Sequence, residues 1–204
     1  MKHGRKLKGL KGLDKFLKNM PLNKVVLFLV EPKKYMNINL EIIKIVIKEN
    51  KFSGIYVTVN RPFITLVNIM KKKGIDTNRI FFIDCITKMI PSPRGISLTS
   101  RRKFEKKENC IFIPSPSRLT EIGLALSEAL SGMRHPRNKF LYLDSLSTLS
   151  IYNDLSTIAK FVHFLTTRVR LFGVVGLIMC VEKKMDDKLF NILSEVCDMT
   201  IEVV

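Results

Sequence analysis

The stretch Phe140-Leu-Tyr-Leu-Asp-Ser-Leu-Ser-Thr-Leu149 decides the fold. Four apolar or aromatic residues run without alternation into Asp144 and Ser145. A strand of that composition is buried on both faces, as strands of parallel sheets are. In an open parallel sheet the working groups lie outside the carboxyl ends of the strands. Asp144 stands at such an end. An apolar run closing on Asp-Ser is also where a phosphate-binding site holds its magnesium, so Asp144 and Ser145 form a candidate metal and nucleotide edge.

Working outward, the pattern repeats. Lys24–Val30, Gly54–Val59, Arg79–Cys85, Ile111–Ile113, Gly173–Val181 and Met199–Val204 read as strands. Between them lie helical periods: 38–47, Phe63–Lys73 closed by Gly74, a helix ending at Ser131-Gly132 with Ser117 or Thr120 as its cap, Asp154–Phe172, and 186–196. Alternating strands and helices predict an α/β fold with a mostly parallel sheet. The strand ends to search are Glu31, Asn60-Arg61, Asp84, Asp144 and Glu182.

Charge divides the chain differently. The net charge is +17, but residues 110–204 carry ten cations and ten anions. Residues 1–24 hold eight Lys/Arg against one Asp, and residues 88–109 hold seven against two Glu. This predicts a basic N-terminal tail over 1–23, a domain over 24–204, and a long basic loop at 88–109. Leu7, Leu10, Leu13, Phe16 and Leu17 recur at helical spacing, so 5–19 reads as an amphipathic helix. Lys2, Arg5, Lys6, Lys8, Lys11, Arg101, Arg102, Lys103, Lys106 and Lys107 are the candidate contacts for an acidic partner.

The longest apolar run, Leu171 to Val181, has eleven residues, short of the about 18–20 of a membrane span. No signal-type segment follows the basic start, and a cytoplasmic location is the expectation. The four cysteines form no CxxC pair and fall in or beside apolar runs, which reads as buried thiols. The three histidines are scattered, and no metal site is expected.

GIYVTVNRPF (54–63), RIFFIDCIT (79–87), RLTEIGLALSEAL (118–130), FLYLDSLSTLSIYND (140–154), KFVHFLTTRVRLFGVVGLIM (160–179) and CDMTIEVV (197–204) together resemble RecA-superfamily ATPases of the KaiC-like branch, of an archaeal type. The resemblance covers about residues 24–204. It implies a three-layer RecA-like P-loop NTPase fold and three pieces of ATPase machinery. The first is a GxxxxGK[ST] phosphate loop after the first strand. This chain has Glu31-Pro32-Lys33-Lys34-Tyr35-Met36-Asn37 there, and no glycine between Gly12 and Gly54. The glycines of such a loop let backbone N–H groups approach phosphate, and Pro32 even removes a donor. The second is an acidic residue after the second strand. Asn60 and Arg61 stand in its place, and neither is a base. The third is the aspartate at Asp144, which is present.

Two missing pieces predict a domain that does not hydrolyse ATP, with no catalytic residue and no required cofactor. Nucleotide binding without turnover stays open. A regulatory or protein-interaction module follows, monomeric or dimeric, with a protein partner. The alternatives are a nucleic-acid-associated protein using the basic segments, or an ATPase with an atypical phosphate loop. Asp144 then serves structure, bonded to nearby N–H groups or to the Ser145 and Ser147 hydroxyls. Asp84 caps the loop that follows it.

Overall fold

The computed structural model describes residues 5–89, 105–107, 109–133, 138–182 and 187–204. In chain order the strands are β1 (Arg5–Leu7), β2 (Val25–Val30), β3 (Ser53–Thr58), β4 (Ile80–Asp84), β5 (Glu105–Lys107), β6 (Cys110–Phe112), β7 (Lys139–Asp144), β8 (Val175–Val181) and β9 (Met199–Val203). The helices are α1 (Gly9–Lys18), α2 (Tyr35–Lys44), α3 (Phe63–Lys72), α4 (Leu119–Gly132), α5 (Leu146–Tyr152), α6 (Leu155–Phe172) and α7 (Asp187–Val196).

The strands form one sheet in the order β1-β9-β2-β8-β7-β3-β4-β6-β5. Every neighbouring pair is parallel except β5 and β6. The α/β, mostly parallel expectation holds. β2 and β3 are consecutive in the chain, yet β8 and β7 lie between them. The carboxyl ends of these four strands therefore gather elements from distant parts of the sequence.

Two apolar cores flank the sheet. One holds Phe28, Tyr56, Phe82 and Tyr142 under α1, α2 and α3. The other holds Leu27, Val57, Leu143 and Ile178 under α4 to α7. Alternate residues of each strand face opposite cores, so the strands read as unbroken apolar runs.

Local signals explain the helix ends. Asp154 caps α6 by accepting from the Thr157 N–H at 2.8 Å, and Gly173 closes it at φ +66°. The cap expected for α4 is different: Arg118 occupies the N-cap with no side-chain bond, and Ser117 instead bonds Ser115. α2 starts at Tyr35, three residues before the expected 38, and ends in a π-helical turn at Ile45–Glu49. α5, absent from the sequence reading, is capped by Ser145, which accepts from the Thr148 N–H at 3.2 Å.

The N-terminal segment departs from a single amphipathic helix over 5–19. Arg5–Leu7 pair in parallel with Ile201–Val203, and the helix begins only at Gly9. Its Leu13 and Leu17 are fully buried in the first core. Of the basic loop at 88–109, Lys106 and Lys107 lie in β5, antiparallel to β6. Lys2, Arg101, Arg102 and Lys103 lie outside the described residues. Among the described residues no helix is long and apolar enough to cross a membrane.

Candidate functional site

Asp144 ends β7 in register with Thr58 of β3, and Thr58 is in register with Asp84 of β4. The two strand-end carboxylates are thus two strand spacings apart, about 10 Å. They do separate work. Asp84, fully buried, accepts from the N–H groups of Phe63 (2.6 Å), Ile86 (2.7 Å) and Thr87 (2.9 Å) and from the Thr87 hydroxyl. It fixes the start of α3 and the turn after β4, and is a structural cap as expected.

Asp144 is only 2% exposed. Its partners are not Ser145, Ser147 or backbone amides, contrary to the sequence expectation. Tyr35 donates its hydroxyl to Oδ1, Asn60 Nδ2 donates to Oδ1 at 3.0 Å, and the Tyr56 hydroxyl donates to Oδ2 at 2.7 Å. The seryl hydroxyls are otherwise engaged: Ser145 caps α5, and Ser147 accepts from the Val181 N–H at 3.0 Å. The Asp144–Ser145 peptide is cis.

All three donors to Asp144 are neutral. Each comes from a different element: Tyr35 from the first turn of α2, Tyr56 from within β3, and Asn60 from just after β3. Thr148 of α5 donates in turn to Asn60 Oδ1, which fixes the direction of the Asn60 amide. The Tyr56 hydroxyl also lies 3.0 Å from Asn39 Oδ1. It carries one proton, and the charged carboxylate is the stronger acceptor. Tyr142 stacks on Tyr56 with ring centroids 4.8 Å apart. Among the described residues, Asn39 Nδ2 and the Tyr142 hydroxyl are the buried side-chain polar atoms without a partner.

This environment holds the tyrosines protonated. Burial, then the Asp144 charge, pushes Tyr35, Tyr56 and Tyr142 well above the ordinary phenol range. Tyr35 and Tyr56 keep their hydroxyl protons to donate to Asp144.

A cavity of ≈ 440 Å³ opens over this cluster, lined by Tyr35, Asn60, Arg61, Asp144, Thr148 and Ile151 among others. Pro32 and Met36 also line it, whereas Glu31, Lys33, Lys34 and Asn37 do not. Lys34 pairs with Glu31 at 3.1 Å on the surface. The turn between β2 and α2 is closed on itself: the Lys34 N–H donates to the Glu31 carbonyl at 3.0 Å and the Tyr35 N–H to the Pro32 carbonyl at 3.4 Å. The cavity therefore unites Asp144 with most of the Pro32–Met36 segment and with Asn60-Arg61.

The basic N-terminal candidates lie elsewhere. Lys6 pairs with Glu202 at 3.0 Å across β1 and β9, and Lys11 lines a groove between α1 and α2. Sequence reasoning missed Tyr56, Asn39 and Thr148. A tyrosine inside an otherwise apolar strand was the available signal, because a buried hydroxyl needs a partner. Among the described residues no group of three His, Cys, Asp or Glu side chains could hold a metal ion.

A family described as a family of unknown function, DUF7504, matches residues 76–203. The chain belongs to this family. The matched segment carries β4 to β9 and so includes Asp144, while Tyr35, Tyr56 and Asn60 precede it. No curated protein matches the chain.

Solved structures extend the comparison across nearly the whole molecule. The crystal structure of the KaiC-like protein PH0186 from the hyperthermophilic archaeon Pyrococcus horikoshii OT3 aligns with TM-score 0.62 at 12% identity, covering 99% of this chain and 81% of that one. The flagellar accessory protein FlaH from Methanocaldococcus jannaschii aligns with TM-score 0.57 at 12% identity, covering 93% and 75%. At that identity the likeness shows the fold alone: this member of the family shares the α/β fold of those two structures.

Proposed function

We propose that the domain is a non-hydrolysing relative of RecA-type ATPases that works as a regulatory module by binding another protein. The observation that carries this reading is the hydrogen bond from Tyr35 to Asp144. In a working site of this fold, the turn after β2 would wrap phosphates, and the aspartate would face a magnesium ion or its water. Here a side chain from that turn is seated on the aspartate itself.

The residues do not fit a magnesium nucleotide. Both Asp144 oxygens already receive neutral donors. Two amides of the turn point to their own carbonyls rather than outward. No lysine from the turn reaches the cavity: Lys33 is exposed and Lys34 is paired with Glu31. Phosphoryl transfer depends on positioning and charge neutralisation; the Lys34 and Tyr35 amides of the turn are not free to position a phosphate, and Arg61 is the one cation among the lining residues. Asn60, the residue at the place of a general base, spends its amide bridging Thr148 and Asp144.

Calorimetric titration of the full chain with Mg²⁺-ATP tests the reading. The expected result is no saturable binding in the micromolar range and no phosphate release. Micromolar, Mg²⁺-dependent affinity would overturn it.

A further inference from the structure

On the face of the sheet opposite Tyr35 and α2, helices α4 and α6 pack side by side and leave a groove of ≈ 360 Å³ between them. Its walls are Leu119 and Leu124 of α4 and Phe161 and Phe164 of α6. Leu124 is 52% exposed, large for a leucine beside two phenylalanines. Gly123 forms the α4 wall: a Cβ there would meet the Phe164 ring at 3.1 Å, so the glycine is what lets the two helices close on that ring.

Two cations sit in this groove, Lys160 and Arg168. No carboxylate lines it. Arg168 lies over the Phe164 ring, 5.0 Å from its centroid, and neither cation has an ion-pair partner among the described residues. Other cations nearby are paired: Arg170, two residues further on the same helix, bonds Asp198, and Arg118 pairs with Glu121. Lys160, Phe164 and Arg168 are spaced i, i+4, i+8, so they form one stripe. The charges stand about 12 Å apart along the axis with the aromatic ring between them.

We infer that this groove docks an acidic amphipathic helix of a partner protein. An apolar groove between two helices accepts a third helix through residues at i, i+3 and i+4. The cations select carboxylates seven or eight residues apart on that helix, flanking its apolar anchors. Both groove helices lie within the matched family segment, 76–203. The inference rests on reading the domain as a protein-interaction module, and it names the surface and the partner chemistry.

The test uses the full chain and a synthetic helical peptide with leucine anchors at i, i+3 and i+4 flanked by glutamates. A scrambled peptide of equal composition is the control. Binding is followed by fluorescence anisotropy and by amide NMR shifts. The expected result is shifts confined to α4 and α6, and a Kd raised at least tenfold by the double variant Lys160→Glu/Arg168→Glu. A peptide with lysines in place of its glutamates regains affinity for that variant. Leu124→Asp, an exposed site that leaves folding intact, weakens binding independently. Equal binding of the scrambled peptide, an unchanged Kd on charge reversal, or a single-stranded oligonucleotide shifting these signals where the peptide does not would each overturn the proposal. None of these measurements involves nucleotide, so a failure here is separate from a failure of the Mg²⁺-ATP titration.

Discussion

Tyr35 and Asp144 are 109 positions apart in sequence, yet the tyrosine hydroxyl donates directly to the carboxylate. The bond joins the turn after β2 to the end of β7, across the intervening β8. It also converts an aspartate that could face a ligand into one that faces its own chain. Stability therefore distinguishes the two roles. A catalytic or metal-binding aspartate is commonly neutral or costly to the fold, so its removal leaves stability unchanged or improved. Asp144→Ala instead removes the charged acceptor shared by buried Tyr56, half-buried Tyr35 and exposed Asn60. Each of the two tyrosine bonds to that acceptor is worth about 1.5–3 kcal/mol. Urea denaturation of Asp144→Ala should show a loss of about 3 kcal/mol or more. Tyr35→Phe, which removes one bond to a charged acceptor, should lose about 1.5–3 kcal/mol. A stabilised Asp144→Ala would mean that the cluster serves a ligand after all.

Asp198 gives the fold an acid-sensitive joint. It accepts from the Val25 N–H at 2.9 Å and pairs with Lys24 at 3.1 Å and Arg170 at 3.3 Å. Burial opposes the charged form, but the N–H of Val25 and the two cations outweigh it and hold the carboxyl below its usual value. A carboxylate with a depressed folded pKa contributes stability that is complete above the unfolded value. That contribution falls away as pH drops through the folded one. Stability should therefore be flat from neutral pH down to about 4 and decline below it, as far as this group is concerned. Asp198→Asn should flatten that acid limb and cost about 1–2 kcal/mol at pH 7, measured by denaturation at a series of pH values.

Much of this architecture is readable from local pattern. β7 announces itself because four consecutive apolar or aromatic residues, Phe140–Leu143, leave no polar face, and α6 because Asp154 and Gly173 bracket an apolar period. The partners of Asp144 are not local. Tyr35 looks like bulk in a broken phosphate loop, and nothing in residues 31–37 says that its hydroxyl reaches β7. That contact depends on β8 and β7 inserting between β2 and β3, a matter of sheet order rather than sequence neighbours. β1 escaped for a related reason. Three residues, two of them charged, carry no strand period, and they are extended only because β9 offers an edge. α5 hid because Leu146–Tyr152 is short and rich in hydroxyl residues, with only the Ser145 cap to mark it.

The N-terminal helix separates packing from surface chemistry. Leu13 and Leu17 are fully buried, while Leu10 on the same helix is 45% exposed. Leu17→Ala should cost about 2–5 kcal/mol, as buried leucine truncations do. Leu10→Ala should stay within about 0.5 kcal/mol. Equal small effects in thermal or urea unfolding would mean that α1 does not dock on the core in solution.

Gly54 offers the most severe test of the β3–β7 pairing that carries the Asp144 cluster. A Cβ at this position would lie 2.2 Å from the Phe140 carbonyl oxygen and 2.6 Å from its ring. The oxygen belongs to the paired strand and cannot retreat without parting the two strands. Gly176 provides the contrast. A Cβ there would meet the methyl groups of Val169 and Val25 at 2.9 Å, and these belong to side chains that can shift. Overpacking of the second kind costs about 1–3 kcal/mol, and backbone collisions exceed that range. Gly54→Ala should thus unfold the domain at markedly lower denaturant than Gly176→Ala. It should also disturb the amide signals of Tyr56 and Asp144, because both lie on the strands being forced apart. If Gly54→Ala were no worse than Gly176→Ala, the close approach of β3 to β7 would be wrong, and the geometry placing Tyr56 against Asp144 would fall with it.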